Sequence, residues 1–339
     1  MKHRELFEAL KAGRIENVYL FYGPEEHIKA SAVEQLQKAI LPPGFELLNQ
    51  VTLDNPQLQQ IIECCDTLPV MSEWRFVLVK NFAPLASDGR AEKGGDEFAQ
   101  AFLDYLGRVP KSTCLCFVGG ESVDKRKKVS KALLALPGAV EFAQLSDDEL
   151  IRWLAQRAKR GGKGMQREAA QQIAYLCGRD LTRLGGEVDK CVAYAEGETI
   201  TVQDVDAAVT HSTEAQVFDV LNALFEGHYG QAVGQINVLL GAGESRLGIL
   251  ALLTVQVRRL LYIASMRQAR KSPAEMGQVL GVSPYACQMM ERRLKGRSEA
   301  QLRTWLQGCV SADYDIKRGE IREDAGLDRV LLMIAGLEA

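Results

Sequence analysis

Gly23-Pro24-Glu25-Glu26-His27-Ile28-Lys29-Ala30 follows five residues suited to a buried strand, Val18-Tyr19-Leu20-Phe21-Tyr22. Strand, glycine turn and a lysine at the start of a helix is the layout in which backbone N–H groups wrap nucleotide phosphates. That chemistry also requires a second glycine, a lysine for the β- and γ-phosphates and a hydroxyl for magnesium. Counted from Gly23, the second glycine position holds Ile28 and the hydroxyl position holds Ala30, so only Lys29 remains. Glu25 and Glu26 add negative charge where a triphosphate would lie. The stretch reads as a nucleotide-binding scaffold without nucleotide chemistry, with an ordinary strand-to-helix turn as the alternative.

Other reactive residue types are scattered. The eight cysteines, Cys64, Cys65, Cys114, Cys116, Cys177, Cys191, Cys287 and Cys309, form no C-x-x-C pair. Their apolar neighbours suggest buried free thiols rather than zinc ligands. Spacing pairs none of His3, His27, His211 and His228 with a nucleophile, so hydrolase chemistry is not indicated. Lys125, Arg126, Lys127 and Lys128, with Lys131, form the densest basic run. It is a candidate contact for DNA phosphate or a neighbouring subunit, and a solvated helix face is the plainer reading. Ser272 to Arg293, with Leu280-Gly281-Val282 at its middle, has the pattern of a helix-turn-helix. A DNA-binding regulator is therefore an alternative function.

The 339 residues exceed one ordinary core and predict two or three domains. A net charge of -3 gives no global attraction to DNA or to an anionic membrane. No apolar run is read as membrane-spanning, and Met1 to Glu5 leads into an amphipathic helix instead of a signal core. A cytoplasmic location without membrane contact is expected.

Up to about Phe142, strands and helices alternate, which predicts a parallel sheet covered on both faces. A helix over 3–13 precedes the first strand, and one over 25–40 follows the loop. A strand is expected over 45–53 and a helix over 55–66. Leu68-Pro69-Val70-Met71 then forms an apolar turn before a strand at 75–80. That strand ends in Lys80-Asn81, where an active ATPase of this architecture carries acids for magnesium. A polar loop spans 86–95, a helix 98–106 and a central strand 113–119. From the capping box Ser146-Asp147-Asp148-Glu149 onward, only helices are expected. Four form a small unit up to about residue 209, and six or so follow from Thr213.

A sheet domain, a small helical lid and a helical collar resemble, in that order, the clamp-loader ATPase-type subunits. The chain is similar to the DNA polymerase III delta subunit family over nearly its whole length. The resemblance is carried by Tyr19 to Gly23, Ser122 to Leu133, Leu145 to Leu154, Cys177 to Leu181, Val217 to Val220, Ile249 to Leu260 and Asp313 to Gly319. It implies an α/β parallel-sheet AAA+-like domain over 1–143, followed by two all-α domains, a lid over 144–211 and a collar over 212–339. It also implies binding to the ring-shaped sliding clamp (beta subunit), assembly with gamma/tau and delta prime siblings, and primed DNA within the complex. ATP would be hydrolysed by the siblings, so no cofactor and no intrinsic catalysis are expected, and a noncanonical AAA+ ATPase is the competing enzyme reading. The implied clamp-binding element is Leu68-Pro69-Val70-Met71, where relatives often have Phe in place of Val70. Closing the domain core is the alternative role for Leu68 and Met71. Arg179, in the region where ATPase lids hold a γ-phosphate sensor, is expected to pair structurally.

Overall fold

Helix α1 (His3–Lys11) buries Leu6 and leads to β1 (Val18–Tyr22), the strand predicted from its aromatic and aliphatic run. The computed structural model describes residues 1–86, 95–294 and 296–337. Two compact units result, Met1–Ser146 and Asp147–Ala339. After β1 the first unit continues with α2 (Glu26–Ile40), α3 (Glu46–Asn49), β2 (Gln50–Asp54), α4 (Leu58–Asp66) and β3 (Arg75–Lys80). It finishes with α5 (Gly95–Leu106), β4 (Thr113–Val118), α6 (Lys128–Leu134) and β5 (Ala139–Glu141).

The five strands form one parallel sheet in the order β2-β3-β4-β1-β5. Its centre reads as continuous apolar runs because both faces are covered. Val18, Leu20, Val77, Val79, Leu115 and Phe117 pack with Ile61, Phe102 and Leu133 of the flanking helices. The alternate residues Tyr19, Phe21, Cys114 and Cys116 are also buried, and Phe21 meets Phe142 edge-on.

Residues 45–53 depart from the expected single strand. Residues 46–49 turn as α3, and only Gln50–Asp54 pair along β3. Asn49 explains the break, since its carboxamide bonds the carbonyl of Phe45 and the peptide groups of Val70 instead of extending the ladder. Residues 87–94 of the expected polar loop lie outside the described residues.

The second unit begins with α7 (Asp147–Arg160), β6 (Gly164–Met165), α8 (Arg167–Cys177), α9 (Leu181–Tyr194), β7 (Thr199–Ile200) and α10 (Val202–Ala208). The expectation of helices alone is corrected here, because β6 and β7 pair in parallel. Two residues per strand are too few for a period-2 pattern. Then come α11 (Thr213–Phe225), α12 (Tyr229–Gly241), α13 (Arg246–Gln268), α14 (Pro273–Leu280), α15 (Pro284–Arg293), α16 (Glu299–Lys317) and α17 (Glu323–Ala335). Ser212, Ser245, Ser272, Ser283 and Ser298 each cap a helix by accepting an N–H from its first turn, which fixes these starts locally.

Helix α13 carries the second core. Leu250, Leu253, Val257 and Leu260 are fully buried among residues of α11, α16 and α17. By length and mean hydropathy (1.6) this helix is long and apolar enough to cross a membrane, contrary to the expectation that no such run exists. Its apolar surface is used inside the protein.

Candidate functional site

The loop after β1 closes on its own protein. Gly23 has φ +126°, and a Cβ there would stand 2.4 Å from the carbonyl oxygen of Phe142. The glycine thus permits close approach of the segment leaving β5, a backbone need unrelated to phosphate. Its N–H donates to the Gly120 carbonyl at 3.0 Å, that of Glu25 to Phe142 at 3.0 Å, and that of Glu26 to Pro24 at 3.0 Å. Lys29 is 1% exposed. Its Nζ donates to the carbonyls of Gly23 (3.0 Å) and Gly119 (2.9 Å) and to the Glu26 carboxylate (2.7 Å). An ammonium has three donors, and here each has a protein partner. Ile28 is buried, while Ala30 is exposed and offers no hydroxyl.

An open cavity of about 910 Å³ lies beside this loop. Thr52, Leu78, Lys80 and Val118 line it from the carboxyl ends of β2, β3 and β4, with Glu26, Lys29 and Glu121 around them. Parallel sheets bind ligands at this place. The end of β3 brings Lys80, and Asn81 donates its side-chain N–H to Asp54 at 2.5 Å. The cavity occupies the ligand position of a parallel sheet, and the Lys29 ammonium at its edge is bonded within the protein. Among the described residues, no group of three His, Cys, Asp or Glu side chains is placed to hold a metal ion.

Apolar chemistry faces solvent elsewhere on the same unit. Between α4 and β3, Leu68 is 76% exposed, Val70 47% and Met71 79%, with Pro69 half-buried between them. These side chains do not close the core, the alternative role that the sequence permitted. The turn is fastened: Val70 donates its N–H to Asn49 Oδ1 at 2.6 Å and accepts from Asn49 Nδ2 at 2.9 Å. Thr67 Oγ1 donates to the Glu63 carbonyl, and Ser72 Oγ both donates to the Trp74 carbonyl and accepts its N–H. Met71 takes the left-handed φ of +50°.

Sequence reasoning missed Asn49 and its neighbours Leu47 and Leu48, which are exposed on α3. The available signal was two adjacent leucines followed by an amide in a segment read as a strand. Strict alternation would have placed one leucine on the polar face.

The basic run is largely engaged. Arg126 forks onto Asp124 with bonds of 2.9 and 3.0 Å, and this guanidinium pulls the Asp124 carboxyl down to about 2. Lys127 donates to the Ala86 carbonyl and Lys128 pairs with Asp96. Lys125 and Lys131 stand exposed.

The helix-turn-helix pattern is a real local structure, with α14 and α15 joined through Gly281 at φ +66°. Its second helix is occupied by packing: Cys287 and Met290 are buried, Tyr285 donates to Gln172, and Arg293 lies over the Phe218 ring. A recognition helix needs that first turn free for base edges. Arg179 pairs with Asp147 in the second unit, the structural role expected of it.

Comparisons with known proteins agree over both units. A family model described as DNA polymerase III, delta subunit matches residues 19–142, a range that includes both the loop and the apolar turn. A second, for the C-terminal domain of the same subunit, matches residues 214–334. The DNA polymerase III subunit delta of Bacillus subtilis is 25% identical over 334 residues, covering 97% of this chain and 96% of the relative. A probable DNA polymerase III subunit delta of Aquifex aeolicus is 22% identical over 249 residues, 71% of this chain and 70% of its own length. Among solved structures, the Bacillus subtilis DNA clamp loader delta protein superposes with a TM-score of 0.59 at 24% identity, covering 98% of this chain and 99% of that one. The fold is accordingly a parallel-sheet α/β unit followed by a helical region, shared with that delta protein.

Proposed function

The chain belongs to the DNA polymerase III delta subunit family, and on that premise we propose that it grips the sliding clamp within the clamp loader and works by binding energy rather than by nucleotide hydrolysis. The observation that carries this reading is the fastened turn whose Leu68, Val70 and Met71 face solvent. Pocket-filling apolar anchors on a rigid support dominate the energy of many interfaces. A clamp whose opened form accepts this turn better than its closed form is shifted toward opening by the difference in affinity. Primed DNA then enters the ring.

The tied-off loop fits a division of labour. With Lys29 bonded to Gly23, Gly119 and Glu26, ATP is left to the gamma/tau siblings, and delta prime completes the assembly. Residues 1–143 form the clamp-binding domain, 144–211 a lid and 212–339 the collar that joins the siblings in the cytoplasm. Within the basic run, exposed Lys125 and Lys131 are the side chains best placed for DNA or a neighbouring subunit.

The test is capture of the cognate clamp by the full chain and by a variant whose residues 68–71 are replaced with a glycine-serine tetrapeptide. Capture is expected to disappear while assembly with the siblings persists. Equal capture by both would refute the proposal, as would ATP turnover by the chain alone.

A further inference from the structure

Asn49 is fully buried, yet the residues just before it are among the most exposed apolar side chains of the first unit: Leu47 is 88% exposed and Leu48 56%. A four-residue helix such as α3 has no stability of its own, so its place depends on what fastens it. The Asn49 carboxamide does so with three bonds, two to the Val70 peptide and one from Nδ2 to the Phe45 carbonyl at 3.0 Å. Arg75 adds a second tie, donating Nε to the Cys64 carbonyl at 2.8 Å and Nη1 to that of Leu48 at 3.4 Å. Met71, the next residue after Val70, holds φ +50°, a conformation that costs an unbranched side chain about 1 kcal/mol. The Asn49 bonds to the adjoining peptide offset that cost.

Two chain segments distant in sequence are thereby joined by direct hydrogen bonds, and together they show solvent Leu47, Leu48, Leu68, Val70 and Met71. Exposed apolar side chains gathered in this way mark an interaction surface. The charges within and beside the two segments are those of Glu46, Asp66 and Glu73, with the one neighbouring guanidinium, Arg75, committed to the Cys64 and Leu48 carbonyls. This net negative set disfavours nucleic acid and anionic lipid and leaves an apolar protein pocket as the matching occupant. Resting on the reading of the Leu68–Met71 turn as the clamp-binding element, we propose that α3 is a second grip on the same clamp, with Leu47 and Leu48 as anchors and Asn49 as the positioning residue that holds both segments in one surface.

The experiment measures affinity of the full chain for the cognate clamp in four variants: Leu47→Ser with Leu48→Ser, Asn49→Ala, Met71→Ala, and Asn49→Ala with Met71→Ala. The leucine pair is solvent-exposed, so its replacement is expected to weaken binding tenfold or more with the melting temperature unchanged. Asn49→Ala is expected to weaken binding to a similar degree and to speed hydrogen exchange of the Val70 amide. Its effect should shrink once Met71 is already alanine, because a positioning residue acts through what it positions. General destabilisation would instead add in full. If Met71→Ala weakens binding but the leucine pair binds like the parent, α3 is no grip and the turn reading stands. Fully additive losses for Asn49 and Met71 would overturn the positioning role. If Met71→Ala binds like the parent, the turn reading fails and this inference falls with it.

Discussion

Replacing Lys29 with methionine separates a phosphate ligand from a structural fastener. The substitution keeps most of the side-chain volume and removes three donors. The Glu26 partner is 69% exposed, so that ion pair contributes little. The carbonyls of Gly23 and Gly119 are the important partners, since each would lose its bond to a buried ammonium. Leaving two inward acceptors unpaired costs about 1 to 3 kcal/mol each, and relief of the lysine's own desolvation recovers part of this, for a net loss of roughly 3 kcal/mol. In a unit of this size such a loss lowers the Tm by about 6 to 12 °C. The assay is thermal melting of parent and Lys29→Met, each with and without millimolar magnesium ATP. The variant should melt lower, and ATP should move neither curve. If Lys29 were a phosphate ligand, ATP would raise the Tm of the parent by mass action, and the variant would lose that shift while melting near the parent without nucleotide. That outcome would refute the reading of the loop as closed.

Three further outcomes are expected. Val70→Ala with Met71→Ala removes about two and three apolar groups, and scaling by exposures of 47% and 79% gives roughly 2 to 3 kcal/mol, a 30- to 150-fold loss of clamp affinity; an unchanged Kd by surface plasmon resonance would contradict it. In thiol labelling of the native protein, half-buried Cys64 should react first among the eight cysteines, because burial pushes Cys65 and Cys177 up to about 12 and Cys191 and Cys309 up to about 11. Rapid native labelling of all eight, read by mass spectrometry, would count against the core as described. His211 donates its Nδ1–H to the Asp219 carboxylate at 2.7 Å, and this bond raises its pKa above the ordinary 6.5 against the opposing effect of burial. The stabilisation is complete below pH 6.5 and fades as pH rises through the raised value. The Tm difference between parent and His211→Gln should therefore shrink from pH 5.5 to pH 8, and a constant difference would exclude the linkage.

Much of the sheet was legible because its strands are buried on both faces and so appear as unbroken apolar runs. β1 and β3 begin and end where their residue types change, at Val18–Tyr22 and Arg75–Lys80. The disabled loop was legible for a different reason: missing residue types show directly in a motif of fixed spacing. Less visible were features set by hydrogen bonds across the fold. Nothing local to Asn49 announces that its amide closes on Val70, twenty-one residues later. The exposure of Leu68 and Met71 could not be read from hydropathy, because an apolar turn beside a strand satisfies a core role equally well. Lys29 survives in the motif while its donors are taken by carbonyls from two loops, and only coordinates show that. The paired strands β6 and β7 were too short for any pattern to register.

Helix α13 has a consequence for how the protein is made. Its apolar side chains are covered by α16 and α17 as well as by the earlier α11. The ribosome finishes α13 at Gln268, while the covering helices end at Ala335, roughly seventy residues and several seconds of synthesis later. During that interval the face of this apolar helix that α16 and α17 will cover has no partner yet made on the nascent chain. Premature termination between α13 and α16 would leave it uncovered, so fragments ending there should aggregate or engage chaperones far more strongly than the full-length protein.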